Sequence, residues 1–442
     1  MTETAVAARE RREARMQSML EELYPWLRSI TGVGLRRTLA RLAAELPGLE
    51  MRSVPTGTMV YDWRIPREWR LHEAYVNGPD GERIIDVRWH NLHVVNYSVP
   101  VHRSMSLQEL RPHLHSLPDR PGWIPYRTSY YTPSWGFCLA HEQLELLREG
   151  TYEVVIESEM VDGSLDYGEL FVPGETDDEV LFSAHVCHPS LANDNLSGVI
   201  ALVELARTVA ARARRRFGYR FLFAPGTIGA VAFLSRNRDT VRRIRHGLVV
   251  TGVGGPGVLH YKRTRDGAVV DRIMERVLGE QGDHRMLPFS PDGYDERQFN
   301  SPGLRLPVGR LSRLPHGQYP EYHTSADDLS FVRSEAIEGA VRALEAFVKR
   351  VEGDGNVLNV VPCGEPQFSR RGLTGSALDG ARPGAVAWVL NLADGEHTFE
   401  DMADRSGLGL GDIRAAVDVL EANGLLDRYE GDPAGATDGE RT

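Results

Sequence analysis

Apolar residues recur at three- and four-residue spacing through "MQSMLEELYPWL" and "GLRRTLARLAAELPGLE", which predicts two helices split around "SITGVG". The period then shortens. "VPTGTMVYDW" and "HEAYVNGPDGERIIDVRWHNLHVVNYS" carry β-branched and aromatic runs broken by turns such as Pro79-Asp80-Gly81, the pattern of a small β-rich unit. "RPGWIPYRTSYYTPSWGFCL", dense in aromatics and prolines, extends that unit without regular helix. From about Thr151 strands alternate with helices. "YEVVIESEM", "EVLFSAH", "YRFLFAPG" and "HGLVVTGVG" read as strands, and "SGVIALVELARTVAARARR" and "GAVAFLSRNRDTVRRI" as the helices between them. Such alternation predicts an α/β sheet with helices on its faces. The core closes with "SEAIEGAVRALEAFVKRVEG", where Ile337, Val341, Leu344, Val348 and Val351 form one helical stripe behind a Ser334 cap.

Beyond "NVVPCGEPQFSRRG" the pattern changes again. "GAVAWVLNLADG", "TFEDMADRSG" and "LGDIRAAVDVLEANGLL" are spaced as the three helices of a helix-turn-helix or winged-helix module. The predicted organisation is a discontinuous core over 12–60 and 155–355, an inserted β-rich domain over 61–154, a winged-helix-like domain over 370–430 and a disordered tail over 431–442. A length of 442 residues fits two or three domains.

Composition narrows the partners. The chain is 41% hydrophobic and 26% charged, as soluble globular proteins are, and carries a net charge of −11. An acidic surface gains nothing from a phosphate backbone or an anionic membrane, so the expected ligand is a small molecule or short peptide, with no nucleic acid and no membrane. Homo-oligomerisation is left open. Cys138, Cys187 and Cys363 are too few and scattered for a disulfide framework, and no apolar run approaches the ~20 residues of a membrane span. With no apolar leader in "MTETAVAARERREARMQ", the expected location is cytoplasmic.

Candidate chemistry lies in "LFSAHVCHPSLANDNLSG" and "PEYHTSADDL". The strand "EVLFSAH" delivers His185 to a sheet edge, where ligands of open α/β sheets gather. Asp194 follows nine residues later in "NDN", ahead of a helix, and the second loop offers His323 with Asp327 and Asp328 close behind. A lone histidine is more often a hydrogen-bonded structural residue than a ligand. Two loops that each carry His and Asp fit a metal site drawing imidazoles and carboxylates from separate segments.

These loops resemble the metal-binding loops of zinc-dependent aminopeptidases of the co-catalytic exopeptidase type. More closely, "LRSITG", "VPTGTMVYDW", "NLHVVNYS", "IPYRTSYY", "WGFC", "CHPSLANDNLSG", "YDERQF" and "YHTSADD" resemble an aminopeptidase-like family of largely unknown function. That resemblance implies an aminopeptidase-like mixed sheet flanked by helices, an inserted β-rich domain and a C-terminal winged-helix module. It also implies zinc, with His185, Asp194 and His323 as ligands, Asp194 central, and His188 as a further ligand or a supporting group. The chain departs from the pattern at three places. Cys187 stands where an aspartate orients the first histidine in the aminopeptidases, Gly226 stands at the expected general base in "PGTIG", and Gly255 stands at a second-metal ligand in "VGGPG". Three ligands suffice for one zinc, whereas a second would lack most of its own. Loss of a general base costs on the order of 10²–10⁴ in rate. The implied activity is zinc-dependent hydrolysis of an amide or peptide bond in a small acyl- or aminoacyl-amine, and the alternative is a catalytically degenerate metal- or ligand-binding protein in a biosynthetic pathway.

"GYDERQF" offers Asp295 and Glu296 as replacement bases, Glu321 precedes His323 by two residues, and Arg297 with Arg313 could hold a substrate carboxylate. A structural ion-pair network is the plainer reading of so dense a cluster. Cys187 reads as a small buried thiol. "ARARRR" with Arg220 reads as solvated surface, and "GVGGPG" lacks the spacing of a dinucleotide fingerprint. The helix "LGDIRAAVDVLEANGLLDR" sets Asp412, Asp418, Glu421 and Asp427 against Arg414 and Arg428, the wrong balance for a major groove. Trp123, Tyr126, Tyr130, Tyr131 and Trp135 either roof a pocket or pack the β-rich unit.

Overall fold

The computed structural model describes residues 3–353, 355–371 and 380–428, so the predicted tail over 431–442 lies outside the described residues. The chain divides into two compact units, 1–346 and 347–442.

In the first unit an eight-stranded mixed sheet forms the centre, in the order Glu50–Pro55, Ser164–Val172, Gly218–Ala224, Glu179–His185, Ile244–Val250, Val308–Ser312, Leu259–Lys262, His284–Leu287. Glu179–His185 runs parallel to both its neighbours, and Ile244–Val250 parallel to Val308–Ser312. All seven residues of Glu179–His185 are buried, as expected of a parallel strand covered on both faces. Gly198–Ala210, with ten buried residues, is one of the covering helices. Its sequence is apolar nearly all round because it packs against the sheet on one side and Glu3–Leu23 on the other.

One strand belongs elsewhere than expected. Thr151–Val161, predicted as the opening of the core, pairs antiparallel with Glu68–Asn77 and Val101–Ser106 in a separate four-stranded sheet. Tyr152, Val154, Ile156 and Ser158 bury one face of the strand, with Val155 buried too, so the inserted β-rich segment extends past residue 154. Arg220 is also corrected. It lies on Gly218–Ala224, buried, with its guanidinium bonded to both oxygens of Glu179 at 2.6 and 3.0 Å and to Glu169. A buried cation needs such partners, and strand pairing brings the two carboxylates to it.

In the second unit Asn356–Asn359 is flanked by Asp394–Thr398 and Leu426–Arg428, and the helices Pro383–Leu392, Phe399–Ser406 and Leu410–Ala422 bury Val389, Met402, Ile413 and Leu420. Thr398 and Asp401 form a capping box at the middle helix, and Gly407 ends it in the left-handed conformation. This is the winged-helix arrangement. No helix among the described residues is long and apolar enough to cross a membrane.

Candidate metal centre

Three parallel strands end on one side of the central sheet, and the loops that follow them build the site. His185 is the last residue of its strand. Asp194 lies in Ala192–Ser197, an irregular turn whose backbone leaves helical values at Asp194 and Asn195. The flanking polar residues hold that turn open. Asn193 Oδ1 accepts from the amides of Gly254 and Gly255 at 2.9 and 3.0 Å, and Asn195 Oδ1 accepts from those of Gly198 and Gly252 at 3.2 and 3.1 Å. Buried Asp327 accepts from the amides of Asn193 and Asp194 at 2.5 and 3.0 Å. The two asparagines of "NDN" and the first aspartate of "ADD" are therefore anchors that leave the Asp194 carboxylate to face the histidines.

His323 adopts a left-handed backbone, φ 55°, unusual without glycine. The β-rich segment secures it: the Tyr126 amide donates to the His323 carbonyl at 2.8 Å, and Ser325 exchanges hydrogen bonds with Ile124. The Tyr322 ring stacks on His323 at 3.9 Å, and Tyr126 stands edge-on to both His323 and His188 at 5.1 and 5.2 Å. Tyr126 is thus the member of the aromatic group that walls the site. Arg28, fully buried, reaches the His188 carbonyl at 2.9 Å, and burial lowers its pKa to about 10.

His185 Nε2 is 2.7 Å from Asp194 Oδ1, and His323 Nε2 is 3.1 Å from Asp194 Oδ2. The three residues expected as ligands, His185, Asp194 and His323, therefore meet through the two oxygens of Asp194, and His188 joins them with its ring 4.9 Å from that of His185 and 5.1 Å from that of His323. Among the described residues the ligand atoms lying within 4.8 Å of one another are those of His185, His188 and Asp194, because Asp194 turns one oxygen to His185 and the other to His323. Burial works against a charge on Asp194, yet the imidazoles of His188 and His185 hold its carboxyl well below the usual range, while burial holds His188 well below the ordinary histidine value. Asp194 Oδ2 and His323 Nε2 are buried without a hydrogen-bond partner, since their close approach lacks the alignment of one. An ionised carboxylate, a neutral imidazole and two orphaned buried atoms are the donor set a divalent ion requires.

At the three departures from the aminopeptidase pattern, the space is taken. A Cβ on Gly226 would stand 2.1 Å from the Tyr294 hydroxyl, whose ring lies 3.9 Å from that of His185. A Cβ on Gly255 would meet Phe331 at 3.0 Å. Cys187 is buried with its thiol pushed up to about 12 by that burial, which leaves little nucleophilic thiolate. The nitrogen of His185 turned away from Asp194 faces Asn195 Nδ2 at 3.3 Å, so an amide stands where a carboxylate was expected.

Glu296 is buried between Lys262 and Arg310 at 2.9 and 3.0 Å and accepts from the Tyr294 amide at 3.1 Å. Its charge is spent on an ion-pair latch, which corrects the reading of it as a base. Asp295 is buried with Oδ1 unpartnered, and burial followed by Glu296 pushes its carboxyl well above the usual range. Arg313 donates to the carbonyls of Val253, Gly257 and Ala336 at 2.9, 2.7 and 2.7 Å, so it braces loops instead of holding a carboxylate. Arg297 is exposed and lines a cavity with Trp63 and Phe289. Glu321 offers its carbonyl to Thr324.

The fold is that of the aminopeptidases. The Bacillus subtilis zinc aminopeptidase superposes with a TM-score of 0.59 over 78% of this chain and 95% of its own at 11% identity, a likeness of fold alone. A peptidase M28 precursor from Shewanella amazonensis gives 0.52 over 77% and 95% at 15% identity. The chain belongs to the family described as a domain of unknown function, DUF4910, which matches residues 17–354, and a winged helix-turn-helix family matches 356–428. A Clostridium acetobutylicum protein provisionally named a polysaccharide biosynthesis protein with an aminopeptidase-like domain is 43% identical over 92% of this chain and 95% of its own. A crystal structure of a protein from the same species, provisionally named a peptidase, has a TM-score of 0.83 at 41% identity over 96% of this chain and 99% of that one.

Proposed function

We propose that this protein is a single-metal hydrolase of an amide bond in a small acyl- or aminoacyl-amine, acting in polysaccharide biosynthesis. The observation that carries the proposal is the convergence of His185, His188 and Asp194 beside the orphaned Asp194 Oδ2 and His323 Nε2. These residues would hold zinc, with Asp194 central. A bound ion would supply Lewis acidity, polarising a carbonyl and acidifying water. The chain's own residues do the rest. Tyr126 and Tyr322 wall the imidazoles, and Tyr294 lies against His185 with its hydroxyl where a side chain at 226 would project. The aminopeptidase fold supports a hydrolase-like role, and the name of the Clostridium relative supports the biosynthetic setting.

The test is metal analysis of the purified chain joined to turnover on a panel of aminoacyl-anilides and N-acyl amines. The expected result is about one zinc per chain, lost in Asp194→Asn and in His188→Ala, with turnover that disappears on chelation. A second reading, a metal- or ligand-binding protein without hydrolysis, is favoured by one observation: Tyr294 fills the place of the acidic residue at 226. Zinc retained without turnover on any member of the panel would establish that reading and refute the first.

A further inference from the structure

Away from the histidines, a cavity of about 560 Å³ is lined by Trp63, Arg265, Phe289, Arg297, Gln298 and further residues, with no carboxylate among its lining residues. Its two arginines are exposed, and neither forms an ion pair or side-chain hydrogen bond within the described residues. Their neighbours are not left so: Arg263 pairs with Glu275 at 2.9 Å and Arg305 with Asp266 at 3.0 Å. Buried Lys262 lies 5.7 Å from the Phe289 ring and shares Glu296 with Arg310, while the carboxyls nearest the two arginines, Asp266 for Arg265 and Asp295 for Arg297, lie outside the lining. Trp63 is 38% exposed, and Tyr131 holds it edge-on at 5.5 Å, which presents an indole already fixed in place.

Two unpaired guanidiniums, each able to grip phosphate oxygens through paired N–H groups, combined with aromatic walls, suit an anion joined to a flat ring. The volume falls within the usual range for small-ligand sites. We propose that this cavity binds a nucleoside diphosphate, with Arg265 and Arg297 on the phosphates and Trp63 with Phe289 against the base.

Titration calorimetry on the full-length chain tests this with UDP, ADP, uridine and pyrophosphate at fixed ionic strength. The expected result is saturable binding of both nucleotides between about 10 μM and 1 mM, with pyrophosphate and uridine each at least about tenfold weaker. Arg265→Ala, Arg297→Ala and Trp63→Ala should each weaken UDP binding about tenfold or more while leaving the melting temperature within about 2 °C of the parent, since all three side chains face solvent. His188→Ala should leave UDP affinity unchanged, which separates this site from the metal centre. The proposal is overturned by any of three results: no saturation up to about 5 mM nucleotide, pyrophosphate binding as tightly as UDP, or unchanged affinity in Arg297→Ala.

Discussion

Adding one methyl group at position 226 should disturb the metal centre more than its size suggests. In Gly226→Ala the new Cβ would stand 2.1 Å from the Tyr294 hydroxyl and 2.4 Å from Cε1, against an ordinary carbon contact of about 3.5–4.0 Å. The phenol must retreat by more than about 1 Å, but its ring rests at 3.9 Å from that of His185, so the retreat presses on a histidine of the cluster. Overpacking of this kind costs about 1–3 kcal/mol, and at about 2–4 °C per kcal/mol in a large domain the melting temperature should fall several degrees. Zinc content should fall with it. Removing the obstacle supplies the control: in Gly226→Ala/Tyr294→Ala the methyl meets empty space, and the double variant should be more stable than the sum of the singles by about 1 kcal/mol or more. By the same geometry, Gly226→Glu should lose zinc on its own and retain it when combined with Tyr294→Ala. Melting curves and metal analysis of the single and double variants decide the matter. A Gly226→Ala protein that melts within about 0.5 kcal/mol of the parent and keeps its zinc would show that the phenol moves freely, and the account of Tyr294 as the occupant of that space would fail.

Three further outcomes follow from contacts elsewhere. Asp327→Ala strands the amides of Asn193 and Asp194, at about 1–3 kcal/mol for each buried donor, and should lower both the urea midpoint and the zinc content. Glu296→Gln removes the one carboxylate between Lys262 and Arg310 and should cost about 3–5 kcal/mol in denaturant unfolding, yet the folded variant should keep its zinc; zinc loss would place Glu296 in the centre after all. Glu68, hydrogen-bonded by Arg36 and Arg70, has its pKa lowered from 4.5 to about 2. A depressed carboxyl stabilises the fold fully above its unfolded pKa and loses that contribution as pH falls through the folded one. Unfolding followed between pH 4.5 and 2 should therefore show an acid limb that is shallower in Glu68→Gln; an unchanged limb would refute the assignment.

What could be read from the chain and what could not divide along a physical line. Elements whose burial is local were legible: the apolar run of Glu179–His185, the five-residue stripe of Ser334–Gly353 and the helices of the winged-helix unit each announce their period. The strand Thr151–Val161 was legible as a strand but not in its pairing, because register depends on which other strand covers it. Charged residues were least legible. Arg220, Glu296 and Arg313 look like surface or catalytic groups until the fold brings Glu179, Lys262 and the Val253 carbonyl to them from distant positions.

The metal centre falls on the same line, and its lesson is chemical. Histidine and aspartate in two loops signal that imidazoles and a carboxylate will meet, but not which carboxylate oxygen each will meet. Asp194 divides its oxygens between His185 and His323, so it joins the two loops while leaving His188 to complete the cluster on the His185 side. The anchors that make this division possible, Asn193, Asn195 and Asp327, contribute backbone hydrogen bonds and no charge to the centre's coordination, which is why ligand spacing alone passes over them. With glycine at both 226 and 255, those anchors still hold Asp194 in place between the two histidines.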